Sequence, residues 1–219
     1  MQVISDNLMY SATCPYATQE PGGGGSKYGV SLDGLLGDVD ENGVLQAPTE
    51  YIDFVGKGIK NVGVSGLENK FYLNQRLRTF SMPDLITLTE KNSMKKACYE
   101  CDSLLSIDLS NLTTISGSGA CDSMFYNCSN VESVNLSNLT TIPGISACNN
   151  MFYGCSKLPS IFFPKLQEIS KANALNNMFK NCTALTEIHF RADMQATVEA
   201  LTGYSSKFGA SNATIYFDL

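Results

Sequence analysis

Across residues 133–136, SVNL, polar and apolar residues alternate. That is the pattern of a short β-strand with Val134 and Leu136 turned inward. The following SNLTTI brings Leu139 and Ile142 inward around a turn, with room for a second short strand. Then ACNNMFYGC places Cys148, Met151, Phe152 and Cys155 at i, i+3, i+4 and i+7, which predicts an amphipathic helical turn. The predicted unit is strand, bend, bend, short helix.

The unit recurs every 27 residues. Val134, Leu136, Leu139 and Ile142 answer to Ile161, Phe163, Leu166 and Ile169 downstream, and to Ile107, Leu109, Leu112 and Ile115 upstream. One step further up stand Phe80, Met82, Leu85 and Leu88; further down come Ile188 with Phe190, then Ile215 with Phe217. Other slots keep the same count: Leu77, Leu104, Val131, Leu158 and Leu185; Met94, Cys121, Cys148 and Leu175; Cys98, Phe125, Phe152 and Phe179; Cys101, Cys128, Cys155 and Cys182. A fixed period of this size is the signature of a solenoid, in which one unit cannot bury its apolar face but a stack can. The predicted fold class is an α/β solenoid with a short parallel β-ladder, its rungs about 4.8 Å apart.

The period decays at both ends. YIDFVGKGIKNV (51–62), with Phe54, Ile59 and Val62 in apolar slots, and GLENKFYLNQRL (66–77) read as a worn first unit. Beyond residue 191 the ladder bends give way to DMQATVEALTGYSSKFG, where a helix over about 193–203, ended near Gly203, would close the open core. The expected organisation is a flexible arm over 1–28 containing Gly22–Gly25, an N-terminal cap with a degenerate repeat over 29–76, regular repeats over 77–191, and a C-terminal capping helix with a last strand over 192–219.

The phrase MFYGCSKLPSIFFPKL resembles the leucine-rich repeats of the bacterial surface-antigen class, the BspA-like or Treponema-type family. The signature's helical pair corresponds to Met124-Phe125, Met151-Phe152 and Met178-Phe179, and its cysteine to Cys101, Cys128, Cys155 and Cys182. The leucine slot holds Leu104, Val131, Leu158 and Leu185; Pro83 and Pro164 share a slot with Ser110 and Ser137. The units are longer than the family's commoner form, the extra residues lying in segments such as SGSGA and PGISA. The resemblance covers about residues 50–217. It implies a leucine-rich repeat scaffold, a bacterial cell-surface, adhesin-like or phage-associated setting, and an extracellular location. It carries no shared catalytic residues.

Charge narrows the partners. The chain of 219 residues has a net charge of -6 and no Lys/Arg block, which argues against nucleic acid. No apolar stretch reaches the length of a membrane span. The opening MQVISDNLMYSATCPYATQEPGGGG has neither the basic nor the apolar region of a secretory signal.

The cysteines invite a metal or redox reading, since Cys98 and Cys101 form a C-x-x-C. However, Cys98 occupies the slot of Phe125, Phe152 and Phe179, so packed thiols are the expectation, with metal and disulfide as alternatives. Cys14 lies outside the ladder. DVDENGVL places Asp38, Asp40 and Asn42 at the first ligand positions of an EF-hand-like loop, yet Thr49 stands where the bidentate Glu belongs. A polar turn is the reading, with a weak calcium site as alternative. The N-x-T sites at Asn111, Asn138, Asn181 and Asn212 come with the repeat. No cofactor is expected.

The single histidine, His189, with Asp193 nearby, lacks a nucleophile to serve, and no paired carboxylates stand out, so the chain reads as noncatalytic. What remains is the outward face of the ladder. One column is Thr79, Ser106, Ser133, Ser160, Glu187 and Thr214. The other, Ser81, Asp108, Asn135, Phe162, His189 and Tyr216, turns aromatic over its last three members. Grouped exposed aromatics on a rigid surface are a recognition patch; the alternative is that the C-terminal cap covers Phe162 and Tyr216. The expected function is a protein-interaction or adhesin-like module that meets a protein or surface glycan. A structural spacer or assembly module in a larger surface or virion complex is the alternative.

Overall fold

The structure, a computed structural model, describes residues 9–11 and 53–219. The chain winds as a parallel β-solenoid of about six turns. Strands β2 (Asp53–Val55), β3 (Thr79–Ser81), β5 (Ser106–Asp108) and β7 (Ser133–Asn135) stack in that order, with β1 (Met9–Ser11) beside β2. The register joins Phe54, Phe80, Ile107 and Val134, one apolar residue per coil. A second sheet lines the bend: β4 (Thr87–Leu88), β6 (Thr114–Ile115), β8 (Thr141–Ile142) and β10 (Glu168–Ile169). A third holds β9 (Ser160–Phe163), β11 (Glu187–Phe190) and β12 (Thr214–Phe217).

The outer ladder is thus split between β7 and β9 instead of running unbroken. The cause is one residue. In neighbouring coils the residue before the strand donates its N–H one coil back: Leu105 to Arg78 at 2.8 Å, Glu132 to Leu105 at 2.9 Å, Thr186 to Pro159 at 3.0 Å. Pro159 occupies this slot just before β9 and has no N–H to give. Val134, on the lip of the split, is only partly buried, whereas Ile107 and Ile161 in the same slot are buried.

The segment expected to be helical is not a helix. Cys148–Gly154 and its equivalents are runs of overlapping turns, in which every fourth residue takes positive φ: Ser146 (50°), Asn150 (51°) and Gly154 (74°) in one coil, Asn92, Lys96 and Glu100 in another. An α-helix would close each N–H onto the carbonyl four residues back. Here alternate N–H groups reach the next coil: Cys98 to Met124, Phe125 to Met151 and Phe152 to Met178, at 2.8, 2.9 and 3.0 Å. Those between them close four-residue β-turns, as the Ala97 N–H does on the Met94 carbonyl at 3.1 Å. The true spacing is two residues in, two out: Ala147 and Cys148, then Met151 and Phe152, are buried, with Asn149, Asn150, Tyr153 and Gly154 facing out. Asn and Gly recur at the left-handed positions because they tolerate them best. One α-helix of five residues, α1 (Gln195–Glu199), is found among the described residues, so the α/β description gives way to a β-solenoid.

The far end is closed by a 3₁₀ turn (Ala192–Met194), α1 and a second 3₁₀ segment (Tyr204–Gly209) entered through Gly203 at φ 90°. Met194, Val198, Leu201 and Phe208 plug the core, and the Phe208 carbonyl accepts the Phe179 N–H at 3.0 Å, taking the place of a next coil.

Coils approach closely enough that some positions exclude a side chain. A Cβ at Gly117 would lie 2.0 Å from the Glu90 carbonyl oxygen. Gly117→Ala should therefore cost about 3 kcal/mol in urea unfolding. Gly56→Ala, whose added methyl meets only side-chain atoms at 3.2 Å and beyond, should cost well under half of that.

Candidate interaction surface

The three-stranded sheet carries its outward aromatics as a continuous stack. In-register pairing of β9, β11 and β12 sets Phe162 against His189 and His189 against Tyr216. Ring centroids are 4.6 Å and 4.8 Å apart, each pair tilted by 14°. This offset-parallel geometry is favourable for aromatic pairs. The cap closes the core end and leaves the stack uncovered: Phe162 is 46% and Tyr216 37% exposed. His189, held between them, is 13% exposed at its side chain.

Two carboxylates fix the imidazole. Nδ1 lies 2.8 Å from Asp218 Oδ1, and because a carboxylate accepts, this nitrogen carries the proton. Nε2 lies 3.5 Å from Glu187 Oε2, shielded from solvent and without a hydrogen bond. Asp193 does not join His189; it forms a two-point pair with Arg191, whose Nε donates at 2.9 Å. The pairing holds the Asp193 carboxyl below its usual range and raises Arg191. Beside this pair, Pro164, Ala192 and Leu219 complete a shallow depression of about 370 Å³.

The other two residues of the sequence-derived patch sit on the first sheet. Asp108 Oδ1 accepts the Ser110 N–H at 3.1 Å and its Oδ2 accepts the Ser81 hydroxyl at 3.3 Å. Asn135 Oδ1 accepts the Ser137 N–H at 3.1 Å. Both side chains fold back on the bend after their own strand, as Asp and Asn do in turns. Asp38, Asp40, Asn42 and Cys14 lie outside the described residues.

The repeat cysteines are buried and free. Each thiol of the regular series donates to a carbonyl one coil back: Cys101 to Phe71, Cys128 to Cys98 and Cys182 to Phe152, all at 2.9 Å, and Cys155 to Phe125 at 3.3 Å. Burial pushes the Cys98, Cys128 and Cys155 thiols up, and Cys182 up to about 12. No grouping of His, Cys, Asp and Glu among the described residues has the geometry of a metal centre. Asn111 and Asn138, from the N-x-T sites, donate their amides to Pro83 and Ser110 carbonyls at 2.6 and 2.7 Å.

One column escaped the reading of the sequence. Tyr72, Tyr99, Tyr126 and Tyr153 share a slot beside the Phe series and stack at 5.0, 4.7 and 4.3 Å on the turn side. Their 27-residue spacing was the available signal. Lys180 takes the slot in the next coil, its Nζ 5.9 Å from the Tyr153 ring centre. Burial pushes the Tyr126 hydroxyl up to about 12, helped by its bond with Tyr153.

Residues 65–204 match the model of the BspA type leucine rich repeat region, in six copies. Among solved structures, a leucine-rich repeat protein from Bacteroides ovatus is similar over 79% of this chain and 53% of its own, at 14% identity and a TM-score of 0.36. The chain thus spans about half the length of that protein. No curated protein matches the chain.

The buried thiols set a direction for pH dependence. A thiol whose folded pKa is raised contributes stability that is complete below its unfolded value and lost as pH climbs through the folded one. The contribution of Cys128, Cys155 and Cys182 to the urea midpoint should hold level up to about pH 8, near the unfolded thiol value. It should fall as pH rises from about 9 to about 12, the window set by Cys182. Cys182→Ala should flatten part of that fall relative to the parent, read by urea titrations at stepped pH.

Proposed function

Because the chain belongs to the BspA-type leucine-rich repeat family, we propose that it is a noncatalytic recognition module, displayed on a bacterial or phage surface, that engages a protein or surface glycan. Repeats of this family support a role in protein interaction in general. The adhesin-like role and the surface location extend that general role by family likeness. The observation that carries the reading is the Phe162–His189–Tyr216 stack: aromatic, rigidly held and left uncovered by the cap. Exposed aromatics on a preorganised surface lose little conformational entropy on binding, so they favour recognition. The rest of the outward face supplies Ser, Thr, Asn and Asp, several of them already bonded within the ladder.

The reading predicts a separation between binding and stability. A Phe162→Ser, Tyr216→Ser double variant should lose at least tenfold in binding to fixed bacterial cells or to an arrayed glycan set. Its melting temperature should stay within about 3 °C of the parent, since neither ring is part of the core. Unchanged binding by the variant would refute the reading, and a large loss of stability would assign the rings to packing.

A further inference from the structure

The junction between the coil of β7 and the coil of β9 is closed on one side and open on the other. On the turn side the bonds between these coils are complete: Cys121 to Ala147 at 2.8 Å, Ser123 to Asn149 at 2.9 Å, Phe125 to Met151 at 2.9 Å and Asn127 to Tyr153 at 2.6 Å. The second sheet also crosses the junction, with β8 paired to β10 and Gln167 donating to Thr140 at 2.8 Å. The outer ladder does not cross it. In earlier coils the residue after the strand donates one coil on, Met82 to Asp108 at 2.9 Å and Leu109 to Asn135 at 3.0 Å. The equivalent N–H of Leu136 has no partner among the described residues. Likewise Ser106 and Ser133 donate to Arg78 and Leu105, both at 3.3 Å, whereas Ser160 does not reach Glu132.

The rings of the turn side show the same wedge. The tyrosine column closes from 5.0 and 4.7 Å to 4.3 Å between Tyr126 and Tyr153, the pair that spans this junction. The coils are pinched together there and splayed at the strands. In a solenoid each coil is held only by its neighbours, so a junction that lacks part of its bonds is where adjoining blocks move against each other. Leu136 is buried, so its unpaired N–H disfavours the open arrangement. Closing the lips would give it the Phe162 carbonyl, the slot of Asp108 and Asn135. Pro159 has no donor to add, so the closed arrangement is never fully bonded either.

We propose that the β7–β9 junction is a hinge. The block of β9, β11, β12 and the cap rocks against the block of β2, β3, β5 and β7, with the turn run and the second sheet as pivot, and the strand face opens and closes. Pro159 is the residue that frees it. Hinges turn on a few positions at the ends of elements, and Pro159 and Leu136 hold such positions. The hinge follows from the backbone and holds independently of the recognition role proposed above. Its consequence for that role is direct: Asn135 and Phe162, neighbours in the outward column, stand on opposite lips.

The test combines amide exchange of the full chain, read by NMR, with distances between spin labels. Leu136 and Ser160 should exchange about a hundredfold faster than their equivalents Leu109 and Ser133. Pro159→Thr supplies the donor that Thr186 supplies in the next coil, and should bring both amides within about tenfold of those equivalents. Nitroxide labels at Arg78→Cys and Thr186→Cys, both exposed, read the angle between the blocks in a Cys14→Ser background. The seven repeat cysteines are buried away from the label. The parent should give a distance distribution about twice as wide as the Pro159→Thr variant. Fast exchange with equally narrow distributions in parent and variant would mean a fixed gap and overturn the proposal. Slow exchange at Leu136 and Ser160 in the parent overturns it too. Should Pro159→Thr not fold, the parent decides alone: a broad or divided distribution supports the hinge, and a single narrow distance sinks it.

Discussion

Everything in this molecule depends on a hydrogen bond that leaves its own coil. On the turn side, alternate N–H groups donate to the carbonyl 26 residues ahead; Met94 to Ala120, Cys121 to Ala147 and Cys148 to Ala174 form one such file. On the strand side, bonds such as Thr113 to Ile86 and Thr140 to Thr113 run back by 27. A coil that gained or lost a residue would put a whole file of buried donors out of reach of their acceptors, at a cost of order 1–3 kcal/mol for each group left unpaired. The period is therefore a requirement of the backbone, and side-chain identity follows from it. A residue meets its own equivalent above and below, so each slot settles on types that stack well on themselves: Phe on Phe, Tyr on Tyr, Thr on Thr.

The cysteines follow from the same constraint. Their slot sits at the close of the turn run, where a small, mostly apolar side chain fits and a weak donor is useful. Each thiol meets a carbonyl of the preceding coil, and burial pushes the Cys128, Cys155 and Cys182 thiols above their usual range. The feature that reads most like chemistry in the sequence is packing with one hydrogen bond added.

Much of this was legible before any coordinate. The period, the inward slots and the phase of the strand columns can be read by counting, because the backbone forces them to be regular. The turn run was misread for a physical reason. In a window from Cys148 to Cys155, positions repeating every 3.6 residues and positions repeating in pairs every four coincide. The discriminating signal lay in the other residues: Asn and Gly at 150 and 154, Asn at 177 and 181, types that accept positive φ and are poor helix formers. The split ladder was legible in principle too. Pro159 stands in a slot whose N–H is needed, but that need appears only once the bonds between coils are known. The aromatic column could be listed from sequence. Whether the cap would cover it could not, because that depends on how a short irregular segment, with Lys207 and Phe208 in left-handed conformations, folds across the end.

A repeat this regular makes most of its surface self-sufficient. Asp108 and Asn135 bond to their own bends, Thr140 and Thr113 to the coil before, and Asn138 to the Ser110 carbonyl. Their polar groups are already answered, so an outside partner has less to gain from them. The proposed recognition role then falls to places where repetition fails. Pro159 interrupts the ladder, and the column changes from small polar residues to rings in the very next strand. Below it the sheet runs on for only three strands, and the last has no neighbour among the described residues. The aromatic stack thus occupies one short block, bounded by a missing donor on one side and, among the described residues, by an unpaired strand on the other. That coincidence is the physical reason why the proposed recognition role is assigned to this block, and not to the length of the ladder.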